Sequence, residues 1–154
     1  MKDVFLIYNT SCFYEIVILN YFMSLTKCDM LFCSLDGKPI KVTEGFSVNA
    51  DIALQDLDKN QIRSFIIPGG DISEINKDFV MEYLQALKEK NVLIGGICAG
   101  VDALEVFGLL QDVRSTHSVD EDLVSDKNII TARANAYVDF AVEIAKKLNL
   151  FTSE

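Results

Sequence analysis

The sequence has little of what metal, nucleic-acid and membrane sites require. It contains one histidine, and its four cysteines (Cys12, Cys28, Cys33 and Cys98) form no Cys-x-x-Cys pair, so we expect no metal and no cofactor. Lys and Arg number 14 against 23 Asp and Glu. The resulting net charge of −9 argues against a nucleic-acid surface. No apolar run reaches membrane-spanning length, which argues against a membrane partner.

The chain also shows no sign of internal division. Its 154 residues, half of them hydrophobic, suffice for one core, and no repeat, low-complexity tract or linker interrupts them. We therefore expect a single domain over residues 1–154. Because Met1-Lys2-Asp3 leads directly into a strand-like run, we expect no cleavable signal peptide and a cytoplasmic protein with reduced thiols.

Short apolar runs alternate with segments of helical periodicity. The strand-like runs are residues 4–8, 30–33, 65–67, 92–97 and 128–131, and the helix-like segments are 12–25, 76–90, 99–107 and 135–149. Residues 40–43 and 46–48 alternate like an exposed hairpin, whereas 51–58 and the acidic stretch 120–126 read as connections. The pattern predicts a single-domain α/β three-layer sandwich, flavodoxin-like, with a mostly parallel sheet, helices on both faces and a small β-hairpin.

One stretch has the character of a catalytic turn. In Gly95-Gly96-Ile97-Cys98-Ala99-Gly100, an apolar run ends in a cysteine between glycines and a helical segment follows at once. Glycine tolerates so tight a corner, and the helix amino end favours thiolate over thiol. This is the cysteine form of the nucleophile elbow. The alternative is a buried structural cysteine whose glycines only permit close packing.

Two further features accompany the elbow. Glu15 is the only charge in a very apolar helical segment, where an acid can also serve the helix dipole alone. Pro68-Gly69-Gly70 follows a strand-like run, so backbone N–H groups there can approach a ligand, although an ordinary turn has the same composition. Ligands of such folds bind at the carboxyl ends of the strands, where these features should meet.

Together these residues resemble the ThiJ/PfpI family of the class I glutamine amidotransferase-like superfamily. The resemblance covers essentially the whole chain and includes Arg114-Ser115-Thr116-His117 and Ile129-Ile130-Thr131-Ala132-Arg133. It is closest to compact bacterial members in which the early acid follows an aromatic residue, as in Phe13-Tyr14-Glu15.

The resemblance implies a role for each matching residue. Cys98 matches the reactive cysteine, and Glu15 matches the acid whose proton holds the thiolate and stabilises a sulfinate. The backbone N–H groups of Gly70 and Ala99 match an oxyanion hole. His117 matches a histidine that serves as general acid/base in several members; the alternative is a hydrogen-bonded pocket residue without proton transfer.

Departures from the family pattern narrow the expected activity. Ala99 stands where proteolytic members have a histidine, and Ser118-Val119 follows His117 where glutaminases have a glutamate two residues on. Protease and glutaminase activities are therefore disfavoured. No carboxylate that orients His117 is identifiable; Asp120 and Glu121 are the candidates. The region after His117 is also shorter than in the Parkinson-disease-linked glyoxalase-like members.

Three functions remain. The first is a cysteine-dependent enzyme that adds Cys98 to a small electrophilic carbonyl such as a methylglyoxal-like aldehyde, with nitriles, isocyanides or amides as further substrates. The second is a redox-responsive stress protein whose Cys98 oxidises to sulfinate. The third is a metabolite-binding protein without turnover. The family implies a homodimer, and the apolar first helix would suit either an interface or a wholly buried position.

Overall fold

In the computed structural model, which describes residues 1–152, the chain forms one seven-stranded sheet and a two-stranded hairpin. The sheet order is β5-β2-β1-β6-β7-β9-β8, parallel throughout except for the antiparallel pair β8–β9. The strands are β1 (Lys2–Leu6), β2 (Asp29–Ser34), β3 (Ile40–Lys41), β4 (Ser47–Val48), β5 (Ile52–Ala53), β6 (Ile62–Ile67), β7 (Leu93–Ile97), β8 (Leu123–Asp126) and β9 (Ile129–Ala132).

Helices cover both faces of this sheet. They are α1 (Val17–Leu25), α2 (Asp78–Glu89), α3 (Ala99–Val106) and α4 (Tyr137–Lys147). Alternate residues of a strand point to opposite faces: Phe5 packs with α1 and α4, whereas Leu6 packs with α2 and α3. Both cores are fully buried, which confirms the predicted three-layer α/β sandwich. No helix in the described part of the chain is long and apolar enough to cross a membrane.

The helix expected over residues 12–25 is interrupted near its start. Phe13–Glu15 forms a single 3-10 turn, and α1 begins only at Val17. The Glu44 carboxylate accepts the Phe13 and Tyr14 N–H groups at 3.0 and 2.9 Å and so holds this turn from the hairpin side. As a result, Glu15 lies on a buried turn rather than on a regular helix.

Two edge strands lie where connections were expected. Within the segment 51–58, β5 pairs in parallel with β2 at one edge of the sheet. Within the acidic segment 120–126, β8 pairs with β9 at the other edge. These strands are only two and four residues long, so their sequences carry weak strand signals. The predicted hairpin is present as β3–β4, but Ile40 and Val42 are buried against Ile7, so its inner face belongs to the core.

The predicted convergence at one end of the sheet is present. Residues 7–11 follow β1, residues 68–71 follow β6, and Cys98 follows β7; because these strands are parallel, their carboxyl ends lie at the same edge. Hydrogen bonds join the loops: the Cys12 N–H donates to Gly69 O at 2.9 Å, and the Thr10 N–H donates to Lys41 O at 2.9 Å.

Candidate active site

The turn from β7 into α3 places Cys98 in an unusual backbone conformation. Its φ is 57° and its ψ is −125°, a backbone conformation that residues other than glycine rarely adopt. Its N–H donates to Ala132 O at 2.9 Å. A Cβ at Gly100 would collide with Ile67 O, and one at Gly96 would lie 2.7 Å from Leu104 Cδ1. The flanking glycines are therefore required for the sharp turn, and the residue at its apex is exposed.

Glu15 reaches this cysteine from the 3-10 turn. Its side chain is 1% exposed, and Oε1 accepts the Gly69 N–H at 2.8 Å. A Cβ at Gly69 would lie 2.8 Å from Glu15 Oε1 and 3.0 Å from Cys98 Cβ, so only a glycine fits between the two side chains. Glu15 Oε2 is buried and has no hydrogen-bond partner among residues 1–152. A buried carboxyl oxygen without a partner is costly, which makes Glu15 a candidate site residue.

The two groups affect each other's protonation. Burial is the main cause that raises the pKa of Glu15, while the Gly69 N–H and the Cys98 thiol act in the opposite direction. Burial and then the Glu15 carboxylate raise the pKa of Cys98, and the Ala99 N–H lowers it. The helix amino end thus acts as the sequence predicted, but its effect is outweighed, and the thiol holds its proton more tightly than a free cysteine.

The Pro68-Gly69-Gly70 turn lies beside the thiol. Gly70 has a φ of 149°, and a Cβ there would lie 2.9 Å from both Thr10 O and Tyr8 Cε2. The Tyr8 hydroxyl donates to Pro68 O at 2.7 Å and fixes the turn from below. No acceptor within the described chain takes the Gly70 N–H. This turn and the first N–H of α3 therefore present two backbone donors near Cys98.

His117 lies between two carboxylates of α3. Its Nε2 lies 2.9 Å from Asp102 Oδ1 and its Nδ1 lies 2.7 Å from Glu105 Oε1. Both ring nitrogens are thus occupied by carboxylates of α3. Asp102 is the link to the thiol, since its charge is among the causes that raise the pKa of Cys98.

The expected partners of His117 were wrong. The Asp120 carboxylate pairs with Arg133 at 2.8 Å, and the Glu121 side chain makes no contact with the imidazole among the hydrogen bonds of the described residues. The spacing of the true partners offers a signal: Asp102 follows Cys98 by one helical turn, and Glu105 follows Asp102 by three residues, on the same face.

The whole chain, apart from its last residues, matches one family. Residues 1–147 match the DJ-1/PfpI family. The chain belongs to this family. The ThiJ/PfpI resemblance drawn from the sequence is thereby confirmed, and the structural match to DJ-1 superfamily proteins confirms the predicted flavodoxin-like α/β fold.

Individual relatives agree with this assignment. The DJ-1/PfpI chain is 24% identical over 150 residues to the glutathione-independent glyoxalase DJR-1.2 of Caenorhabditis elegans, covering 87% of this chain and 81% of that protein. It is 34% identical over 83 residues to the HTH-type transcriptional regulator CdhR of Pseudomonas aeruginosa, where the match spans 54% of this chain but only 24% of the regulator. The crystal structure of a DJ-1 superfamily protein from Agrobacterium tumefaciens superposes with a TM-score of 0.89 at 26% identity, covering 99% and 92% of the two chains.

Sequence reasoning missed several groups that complete this DJ-1/PfpI site. Gly69 donates to Glu15, and Glu44 holds the 3-10 turn that carries it. The Thr10 hydroxyl accepts the Asp71 N–H at 2.7 Å. Burial, followed by the charges of Glu15 and Cys98, raises the pKa of Cys12 to about 11, which places a second thiol beside the site. None of these positions stands out in the sequence, because each acts through a contact across the chain.

Proposed function

We propose that this protein is a cysteine-dependent enzyme that acts on a small electrophilic carbonyl compound in a glyoxalase-, deglycase- or hydrolase-like reaction. The observation that supports this most directly is an exposed thiol on a strained elbow beside a buried carboxyl oxygen without a partner. A nucleophile next to a group that can take and return its proton is the minimum that covalent catalysis needs. The glyoxalase activity in the name of DJR-1.2 is consistent with the proposal.

In the proposed reaction, the Cys98 sulfur bonds to the carbonyl carbon and the C=O electron pair moves to oxygen. The N–H groups of Gly70 and Ala99 are the donors for this oxyanion, and Glu15 carries the proton between sulfur, oxygen and the adjacent carbon. For a 2-oxoaldehyde, the sulfur-bearing carbon then loses its proton and the neighbouring carbonyl carbon gains one, which converts the hemithioacetal into a 2-hydroxy thioester. Water hydrolyses this thioester and gives a 2-hydroxy acid and the free thiol. His117 enters as a positioning residue through Asp102 rather than as the base.

The test compares two variants, in each of which one cysteine is replaced by serine. Cys98→Ser should lose turnover of methylglyoxal-like aldehydes by at least about a thousandfold, a typical loss when a covalent nucleophile is removed, while keeping its circular dichroism spectrum. Cys28→Ser is the matched control because Cys28 precedes β2, at the opposite end of the sheet, and it should retain full activity. Full turnover by Cys98→Ser would refute the enzyme proposal.

A second function is favoured by the same carboxyl. If Glu15 holds a proton beside an oxidised sulfur, it can donate to a sulfinate, and the protein would then act as a redox-responsive or metabolite-binding stress protein without turnover. Each of two hydroperoxide molecules transfers one oxygen to sulfur and leaves as the alcohol or water. Intact-mass analysis during peroxide titration should show two oxygens at Cys98 before any at Cys12, Cys28 or Cys33. Simultaneous oxidation of all four would argue against this role.

We also propose a cytoplasmic homodimer in which residues 1–154 act as one unit. All four cysteines are free thiols, as expected for a reducing compartment. An apolar surface on α1 and α4 remains exposed and would suit the interface. Its exposed residues are Tyr14, Val17, Tyr21, Leu25, Val138 and Val142.

A further inference from the structure

Carboxylates border the open side of the site. Glu44 is exposed and bonds the backbone immediately before Glu15, and Asp102 lies one helical turn after Cys98 with its side chain 55% exposed. Burial and then the charges of Glu15 and Asp102 raise the pKa of Cys98. Burial, followed by the charges of Cys12, Glu15, Cys98 and Asp71, raises the pKa of Tyr8. An approaching molecule therefore meets negative charge on the hairpin side and on the α3 side.

Two bases near the site, His117 and Arg133, are already paired. His117 sits between Asp102 and Glu105, and this trio stays net negative whether or not the imidazole is protonated. Arg133 follows β9, whose last residue accepts the Cys98 N–H, but its guanidinium is held by Asp120 at 2.8 Å and Asp122 at 3.0 Å. Neither base is free to receive a carboxylate or phosphate of a ligand.

The buried Glu15 carboxyl also disfavours a bound anion. Glu15 Oε2 is buried, has no partner in the described chain, and belongs to the carboxyl beside the thiol. When Glu15 is ionised, Oε2 can accept a proton-bearing group of a bound molecule, whereas an anion placed there would face an acceptor with no donor between them. The backbone N–H groups of Gly70 and Ala99 are suited to one oxyanion, and that charge forms only after the thiol has added.

We propose that the site admits uncharged or cationic carbonyl compounds and rejects those that carry a carboxylate or phosphate, with Glu44 and Asp102 as the selecting residues. The statement about carbonyl compounds rests on the proposed function, but the charge selection is a property of the thiol's surroundings and can be measured without turnover. Substrates such as 2-oxoaldehydes and aminocarbonyl compounds fit this rule, whereas 2-oxo acids and sugar phosphates do not.

The experiment labels Cys98 with three methanethiosulfonates that transfer a trimethylammonioethyl, a methyl or a sulfonatoethyl group. In each case the thiolate attacks the reagent's divalent sulfur, a disulfide forms and methanesulfinate leaves. The ratio of the cationic to the anionic rate at the same thiol cancels the thiolate fraction, so it reports the local field alone. Peptide mass analysis assigns the label to Cys98, and N-acetylcysteinamide provides the reference ratio.

At low ionic strength the ratio at Cys98 should exceed the reference by about tenfold and approach it at about 0.5 M salt. Asp102→Asn and Glu44→Gln should each lower the ratio severalfold. Glu89→Gln is the matched control because Glu89 ends α2, at the opposite end of the sheet, and it should change nothing. A wild-type ratio at or below the reference overturns the proposal, as does an equal effect of Glu89→Gln, which would indicate the overall net charge instead. Absence of carbonyl turnover would refute only the proposed enzyme.

Discussion

At the scale of single residues, the coupling between Glu15 and Cys98 governs reactivity. Glu15→Gln removes a negative charge that raises the pKa of Cys98, so the pKa of the thiol should fall and its alkylation at pH 7 should become faster. Turnover should move in the opposite direction and fall at least about a hundredfold, because the amide cannot carry a proton. The pH dependence of iodoacetamide labelling, with labelled peptides identified by mass, gives the first quantity. Slower labelling of the variant would show that Glu15 acts as a proton donor to the thiolate instead.

The buried carboxyl of Glu15 also affects stability. Because burial raises its pKa, the folded protein binds the Glu15 proton more tightly than the unfolded chain does. This contribution is complete below the ordinary carboxyl pKa and is lost as the pH rises through the folded-state value. Glu15→Gln should therefore gain stability relative to the wild type as the pH rises from about 4.5 to 8. Thermal melting of both proteins across this range measures the difference, and parallel melting curves would contradict the assignment.

How far single residues could be predicted depends on where their signal lies. Gly96, Cys98 and Gly100 lie within five consecutive residues, so the elbow could be predicted from the sequence. The spacing of Asp102 and Glu105 shows only that they share a helix face, and it does not connect them to His117, which is distant in sequence. The direction of the Cys98 pKa shift was missed because it depends on burial and on a carboxyl from another element.

At the scale of elements, the contact between α3 and β6 is decisive for the elbow. Gly100→Ala would drive a methyl group into the backbone oxygen of Ile67, which cannot move aside as a flexible side chain could. The substitution should therefore destabilise the fold by about 3 kcal/mol or more. Gly108→Ala is a control in the same segment. Gly108 has a φ of 78°, but a Cβ there meets only the end of the Gln85 side chain at 3.5 Å, so its cost should be about 1 kcal/mol. Urea denaturation of both variants measures the contrast, and equal losses would rule out the collision as the cause.

The buried elements were predictable and the irregular ones were not. The strands at the centre of the sheet end in short apolar runs, and α2 and α4 have clear amphipathic periodicity. The break before α1 is set by Glu44, which lies 30 residues further on, and β8 becomes a strand only by pairing with β9. Periodicity does not register contacts of this kind.

At the scale of the whole molecule, the exposed apolar surface of α1 and α4 bears on assembly. If two copies meet there, Tyr21→Glu should convert the dimer into a monomer, because Tyr21 is 58% exposed on α1 and would place a charge in the interface. Phe79→Glu is the matched control: Phe79 is 45% exposed on α2, across the sheet, and its replacement should leave the assembly unchanged. Light scattering after size-exclusion chromatography measures the mass. A wild-type monomer, or a Tyr21→Glu dimer, would place the interface elsewhere or exclude it.

The close approach of Gly100 to Ile67 O has a consequence for the timing of catalysis. The carbonyl that fills the space of the missing side chain belongs to the strand that continues into Pro68-Gly69-Gly70. The proposed nucleophile and the proposed donor therefore lie on two backbone segments in direct contact, so their relative position is set when the chain folds. Folding has already paid the entropy of positioning these two groups. Substrate binding then loses only the translational and rotational entropy of the substrate itself.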